Sequence, residues 1–137
     1  MDVKVIAALI GVVAGGAGYW VTTFWMKPIV NYIELRSKVA ADLIYYAQVV
    51  SAEGLKQRMQ ELYEERVLAN RRHSADLAAC TLELPFWYRW YLRSRGCSPN
   101  EAVRNLIGLS NATDYDDAEK RIGKIKVALG LKNFENV

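Results

Sequence analysis

The chain has 137 residues, with 18 Lys and Arg against 15 Asp and Glu, a net charge of +3 and a single histidine. So small an excess falls far short of a protein that coats nucleic acid, and suits anionic lipid headgroups or a small anionic ligand. Two cysteines and three prolines in a chain that is 52% hydrophobic leave room for one membrane segment and one small helical domain, not a sheet.

Val5–Met26, VIAALIGVVAGGAGYWVTTFWM, carries no charged residue and lies between Lys4 and Lys27. As a helix it spans about 33 Å, enough to cross the hydrocarbon core of a bilayer. It ends in Phe24, Trp25, Met26 and Lys27 rather than in the small-residue cleavage site of a signal peptide, so a permanent transmembrane helix is expected. Residues 1–27 are thus read as an N-terminal tail and span. Lys4 stands before it and Lys27, Arg36 and Lys38 after it, which places the N-terminus outside and the C-terminal domain in the cytoplasm.

Small residues run down one face of this helix: Ala7, Gly11, Gly15, Gly18 and Thr22 recur at three- and four-residue steps, with Gly11 and Gly15 forming a GxxxG. That pattern lets two helix backbones approach closely where lipid gives no hydrophobic drive to associate. The stripe is therefore the expected oligomerisation and pore-facing surface, while Ile6, Ile10, Val13, Val21 and Phe24 face lipid. Phe24, Trp25 and Lys27 fit a membrane-interface belt. Tyr19 and Trp20 sit one to two turns deeper and either thicken that belt or pack on a neighbouring helix.

Residues 28–130 read as an α-helical domain and 131–137 as a tail. Pro28 suits the first turn of a new helix or a kink in a continuing one. Ile29, Ile33, Val39, Ala40, Leu43, Ala47 and Val50 give an amphipathic helix over 29–50 that continues from the span and stops at Ser51-Ala-Glu-Gly54. A further helix over 55–84 carries the stripe Leu55, Met59, Leu62, Ala69, Leu77, Cys80 and Leu84, with Arg66 and His73 inside it and Lys56, Arg58, Glu61, Glu64, Glu65, Arg71 and Arg72 opposite. Pro85–Gly96 packs five aromatics and three arginines into one short helix closed by Gly96. Two readings compete: a membrane-surface helix with Arg89, Arg93 and Arg95 on lipid phosphate, or a core helix with Phe86, Trp90 and Leu92 filling the bundle. The core reading is favoured, because so small a domain needs aromatic area. Ser98, Pro99 and Glu101 form an expected capping box for a helix carrying Ala102, Val103, Leu106, Ile107 and Leu109. A last helix over 115–129 has Asp114, Asp116, Asp117 and Glu119 at its start, basic residues in its second half, and a core face of Ala118, Ile122, Ile125 and Leu129, an arrangement matched to the helix dipole.

No enzyme constellation is present in this pattern. His73 and Cys80 share a helix face, but nothing in sequence supplies an orienting group or oxyanion site. Cys80 and Cys97 are expected as reduced, partly buried thiols, with a disulfide or redox switch as the minor alternative. Metal-ligand spacings are missing and no cofactor is expected. The remaining candidates are electrostatic. Between Arg66 and Arg104 seven arginines face three acids, and Arg66, Arg71, Arg72, Arg89, Arg93 and Arg95 are the candidate anion- or signal-binding residues. Ion pairs or headgroup contacts are the favoured explanation of these arginines, and a pocket for a nucleotide-like anionic signal is the alternative.

Lys27-Pro28 through Ala47 (KP-x3-Y-x2-LR at its head) and Leu106-Ile-Gly-Leu-Ser-Asn111 resemble a family of small bacterial single-span membrane proteins with a cytoplasmic helical domain. The layout is similar to that of membrane effectors of anti-phage defence. The resemblance implies an all-α protein of the inner membrane whose N-terminal transmembrane helix continues into a small cytoplasmic bundle. It also implies a homo-oligomer that forms a pore under the control of a nucleotide, an oligonucleotide or a regulatory protein; with one span per subunit, a pore requires about four or more subunits. The alternative is a membrane-tethered scaffold that positions a soluble partner and moves no ions.

Overall fold

The computed structural model describes residues 2–49 and 57–131. Every element among them is helical: α1 Val3–Val21, a π turn Thr22–Met26, α2 Lys27–Tyr45, a 3-10 turn Tyr46–Val49, α3 Gln57–Glu83, α4 Phe86–Ser94, α5 Pro99–Asn111 and α6 Tyr115–Ala128. α1, the π turn and α2 form one continuous helix of 43 residues, Val3–Tyr45, about 65 Å long at the usual rise. Its N-terminal part is long and apolar enough to cross a membrane.

Pro28 explains the π turn. It has no N–H to give to the carbonyl of Phe24, four residues back, and its ring crowds that carbonyl. The helix widens just before it, and the N–H of Lys27 reaches the carbonyl of Thr22. The chain thus absorbs proline without ending the helix. The Thr22 hydroxyl donates to the Gly18 carbonyl at 2.8 Å on the α1 side of the same turn.

α2 enters the domain and buries Tyr32, Leu35, Val39 and Ala40. This differs in part from the expected stripe: Ile33 and Ala47 are exposed, and Tyr32 and Leu35 take the core positions instead. α2 also ends at Tyr45, short of residue 50. Val50, Leu55, Lys56 and the expected stop at Ser51–Gly54 lie outside the described residues.

α3 packs on α5 and α2, and α5 packs on α6. The core is made by Tyr32, Leu35 and Val39 of α2, Leu77 and Leu84 beside α3, Leu92 of α4, Leu106 and Leu109 of α5, and Ile125 and Leu129 beside α6. Each fully buried aliphatic side chain contributes about 1.5–3 kcal/mol of transfer free energy. Polar ties fasten α3 to α5 and the turn after it: Tyr63 Oη donates to the Ala112 carbonyl at 2.9 Å and Ser74 Oγ to the Val103 carbonyl at 3.1 Å.

The helix ends are closed by glycine. Gly96 and Gly130 have positive φ, and the N–H groups of Cys97 and Leu131 reach back to the carbonyls of Leu92 and Lys126 at 2.9 and 2.8 Å. Both are Schellman closures of the kind only glycine adopts freely. The expected capping box at α5 does not form. Ser98 is the N-cap, but its side chain makes no capping bond; its N–H instead donates to the Ala128 carbonyl at 2.9 Å, tying the start of α5 to the end of α6. α6 carries Asp116 and Asp117 in its first turn and Lys126 in its last, in line with its dipole. Cys80 and Cys97 are free and half-buried, and burial pushes the Cys80 thiol up.

Candidate functional site

The small-residue face of α1 is bare. Ala7, Gly11, Gly15, Gly18 and Thr22 are all exposed, as is every other described residue from Asp2 to Trp20. A Cβ built on Gly11, Gly15, Gly16 or Gly18 would meet nothing within 4 Å. Among the described residues nothing folds back onto this helix, so these glycines pack against none of them.

At the foot of α1 the aromatics make a cluster. Trp20 lies 5.5 Å from Phe24 and 5.6 Å from Trp25, ring centre to ring centre. Trp25 in turn meets Trp87 of α4 edge-on at 6.1 Å. Phe24, Trp25 and Lys27 remain exposed. α4 therefore begins beside the point where the long helix leaves its apolar segment.

α4 does not fill the core as expected. Phe86 and Trp90 are 80% and 69% exposed, and among the three residues assigned to the core only Leu92 is buried. The reason is geometric. A helix of nine residues presents a single face, and Leu92 with the half-buried Tyr88 already occupies it; Tyr88 meets Tyr32 edge-on at 6.2 Å.

The arginines separate into different settings. Arg66 is 2% exposed, whereas Arg71, Arg72, Arg89, Arg93 and Arg95 are exposed. Arg71 donates to Asn111 Oδ1 at 3.1 Å, and Arg95 lies over the Tyr91 ring at 5.9 Å. Arg95 shares a groove of about 510 Å³ between α2, α4 and α6 with Arg36, Tyr88, Tyr91 and Cys97. Arg36, outside the expected set, is the residue that gives this groove its second cation.

A polar seam lies where α2, α3 and α5 meet. His73 Nε2 on α3 donates to Asp42 Oδ2 on α2. Beside it, among the described residues, none of the three guanidinium nitrogens of Arg66 has a hydrogen-bond partner, nor do Asn70 Nδ2 and His73 Nδ1. Asp42, Arg66 and Asn70 surround a cavity of about 10 Å³, about one water in size. Burial pulls the Arg66 pKa down, opposed by Tyr63, whose ring centre is 4.9 Å from the guanidinium carbon. Sequence spacing placed Arg66 and His73 in the buried stripe. Nothing in sequence linked Asp42 to His73, since 31 residues separate them. Among the described residues no group of three or more His, Cys, Asp and Glu could hold a metal ion.

No protein-family model, curated protein or solved structure matches the chain. The fold defines the class: among the described residues, an all-helical chain with one long apolar N-terminal helix running unbroken into a small bundle.

Proposed function

We propose that this chain is a homo-oligomeric effector of the bacterial inner membrane, in which α1 helices associate through Ala7, Gly11, Gly15, Gly18 and Thr22 to form a pore. The observation that carries this reading is the bare small-residue face of α1, which no other described part of the chain covers. Glycines that cost helix propensity and meet none of the described residues gain a purpose when a second helix approaches. One span per subunit lines a path only when about four or more associate, and a wall without charge suits a poorly selective or hydrophobically gated opening. The bundle lies in the cytoplasm, holds the assembly and receives the controlling signal, a nucleotide, an oligonucleotide or a regulatory protein. The unbroken helix Val3–Tyr45 is the part that carries movement from bundle to span. The role in anti-phage defence rests on the resemblance of layout alone.

The test is ion flux through liposomes reconstituted with purified protein. Flux that disappears with Gly11→Leu and Gly15→Leu, together with loss of the oligomer in detergent, supports the pore. A detergent monomer, or tight liposomes under every nucleotide and partner tried, overturns it. A second reading, a tethered scaffold for a soluble partner, is favoured by a groove of about 450 Å³ lined by Leu43, Ile44, Tyr115 and Ile122. It requires that an unrelated membrane helix in place of α1 leaves function intact.

A further inference from the structure

α4 is turned inside out for a domain helix. Positions 86, 89, 90 and 93 share one face at helical spacing, and Phe86, Arg89, Trp90 and Arg93 on that face are all exposed. The opposite face, Tyr88 and Leu92, holds the helix to the bundle. From Pro85 to Pro99 there is no acidic residue, and no ion pair is formed by Arg89, Arg93 or Arg95 among the described residues. Large aromatics beside unpaired arginines, all facing outward, match the chemistry of a headgroup layer. There the rings lie at the acyl boundary and the guanidiniums meet phosphate.

The position of α4 settles which surface is in reach. Trp87 touches Trp25, the last tryptophan of the apolar segment, so α4 starts level with the aromatic ring at which the long helix leaves the hydrocarbon. We propose that the outward face of α4, Phe86, Arg89, Trp90 and Arg93, docks on the anionic phospholipid headgroups of the membrane that α1 crosses. The proposal rests on α1 being a span. It gives the bundle a second, charge-dependent hold on the bilayer. The angle of α2 to the membrane, and with it the disposition of the span, then depends on whether α4 is seated.

The experiment uses the full chain in nanodiscs of phosphatidylglycerol and phosphatidylcholine whose acyl chains carry bromine near the headgroup. One variant keeps Trp90 as its only tryptophan (Trp20→Phe, Trp25→Phe, Trp87→Phe), and a companion keeps only Trp20 and reports the span. Docking requires that Trp90 is quenched by the brominated lipid. It also requires that the quenching collapses when phosphatidylglycerol is left out or when Arg89→Gln and Arg93→Gln are combined. Two arginines at an anionic surface shift the docked-to-lifted balance roughly 30-fold. Because these side chains are exposed, the double variant keeps its helix content, which circular dichroism checks. If Trp20 is quenched while Trp90 stays open to aqueous iodide, docking is overturned and the span stands. If Trp90 is shielded from both iodide and brominated lipid, a protein covers α4 and docking is overturned. If Trp20 itself escapes the lipid quencher, the span reading fails and docking falls with it.

Discussion

His73 on α3 donates a hydrogen bond from its Nε2–H to the carboxylate of Asp42 on α2, and this contact joins the long N-terminal helix to the centre of the bundle. Both groups are partly withdrawn from water, so removing either partner leaves the other poorly solvated. Asp42→Ala and His73→Ala should each destabilise the domain by about 1–3 kcal/mol. A double-mutant cycle should return a coupling of about 1 kcal/mol or more. Additive losses in urea titrations would mean that the pair contributes nothing of its own. In the effector reading this contact is one of the links between the bundle and the long helix, so Asp42→Ala should weaken the coupling of signal to flux.

Arg66 presents the opposite situation. Among the described residues its buried guanidinium has no hydrogen-bond partner; it sits over the Tyr63 ring and lines a water-sized cavity with Asp42 and Asn70. A buried cation in that state is a cost that an apolar side chain of similar length avoids. Arg66→Met should therefore raise stability by about 1–2 kcal/mol, seen as a rise of several degrees in thermal midpoint. A protein that tolerates such a cost in its interior commonly does so for function, and Arg66→Met should lower the response to an anionic signal while improving the fold. A destabilised Arg66→Met protein would show that the guanidinium is satisfied in solution.

Tyr32 is fully buried with its hydroxyl unpaired. Burial holds its phenol well above the ordinary range, with Cys97 adding to the rise and Arg36 opposing it; burial pushes Tyr88 up in the same way. The neutral phenol is the form the fold accepts. Its stabilising effect is therefore complete below the ordinary tyrosine pKa of about 10 and is lost as pH climbs toward the raised value. Stability should be flat up to about pH 10 and fall above it, with part of the tyrosinate absorbance appearing only as the bundle unfolds. Tyr32→Phe removes a hydroxyl that has no partner, so it should cost little at neutral pH and make the alkaline fall shallower. An unchanged alkaline limb in Tyr32→Phe would move the cause elsewhere.

Much of this architecture was legible because helices are punctuated by chemistry that acts locally. Proline stops α3 before Pro85 and opens α5 at Pro99, while Gly96 and Gly130 close α4 and α6 through left-handed backbone. The apolar period marked the long helix and the inner face of α6. What failed needed distance information. The aromatics of α4 were assigned inward on area alone, yet its one inward face was already taken by Tyr88 and Leu92. Ile33 gave way to Tyr32 and Leu35 for a related reason: the period allows two neighbouring stripes on α2, and only packing against α3 chooses between them. Ser98 looked like a capping side chain, but the adjacent end of α6 claimed its backbone instead. Arg66 and His73 lay visibly in the buried stripe of α3, although their partner status depended on what α2 placed opposite.

Pro28 controls how the glycine face of α1 is turned relative to the bundle. Because it cannot donate to Phe24, the helix carries a π turn at Thr22–Met26, which inserts one residue into the helical count. One residue is about 100° of rotation around a helix axis. Ala7, Gly11, Gly15 and Gly18 thus point about 100° away from the direction that an unbroken α-helix would give them relative to Tyr32 and Leu35. Pro28→Ala restores the missing donor and should let the turn relax to α-helix, while the buried residues of α2 onward keep their contacts. The bundle should melt as before, within about 0.5 kcal/mol. If the glycine stripe is the working contact between spans, its rotation should abolish the disulfide that Gly15→Cys forms between subunits and should abolish flux with it. Deleting Thr23 should do the same by removing the extra residue directly. Cross-linking that persists unchanged in both variants would mean that the span turns independently of the bundle, and the coupling assigned to the long helix would then be wrong.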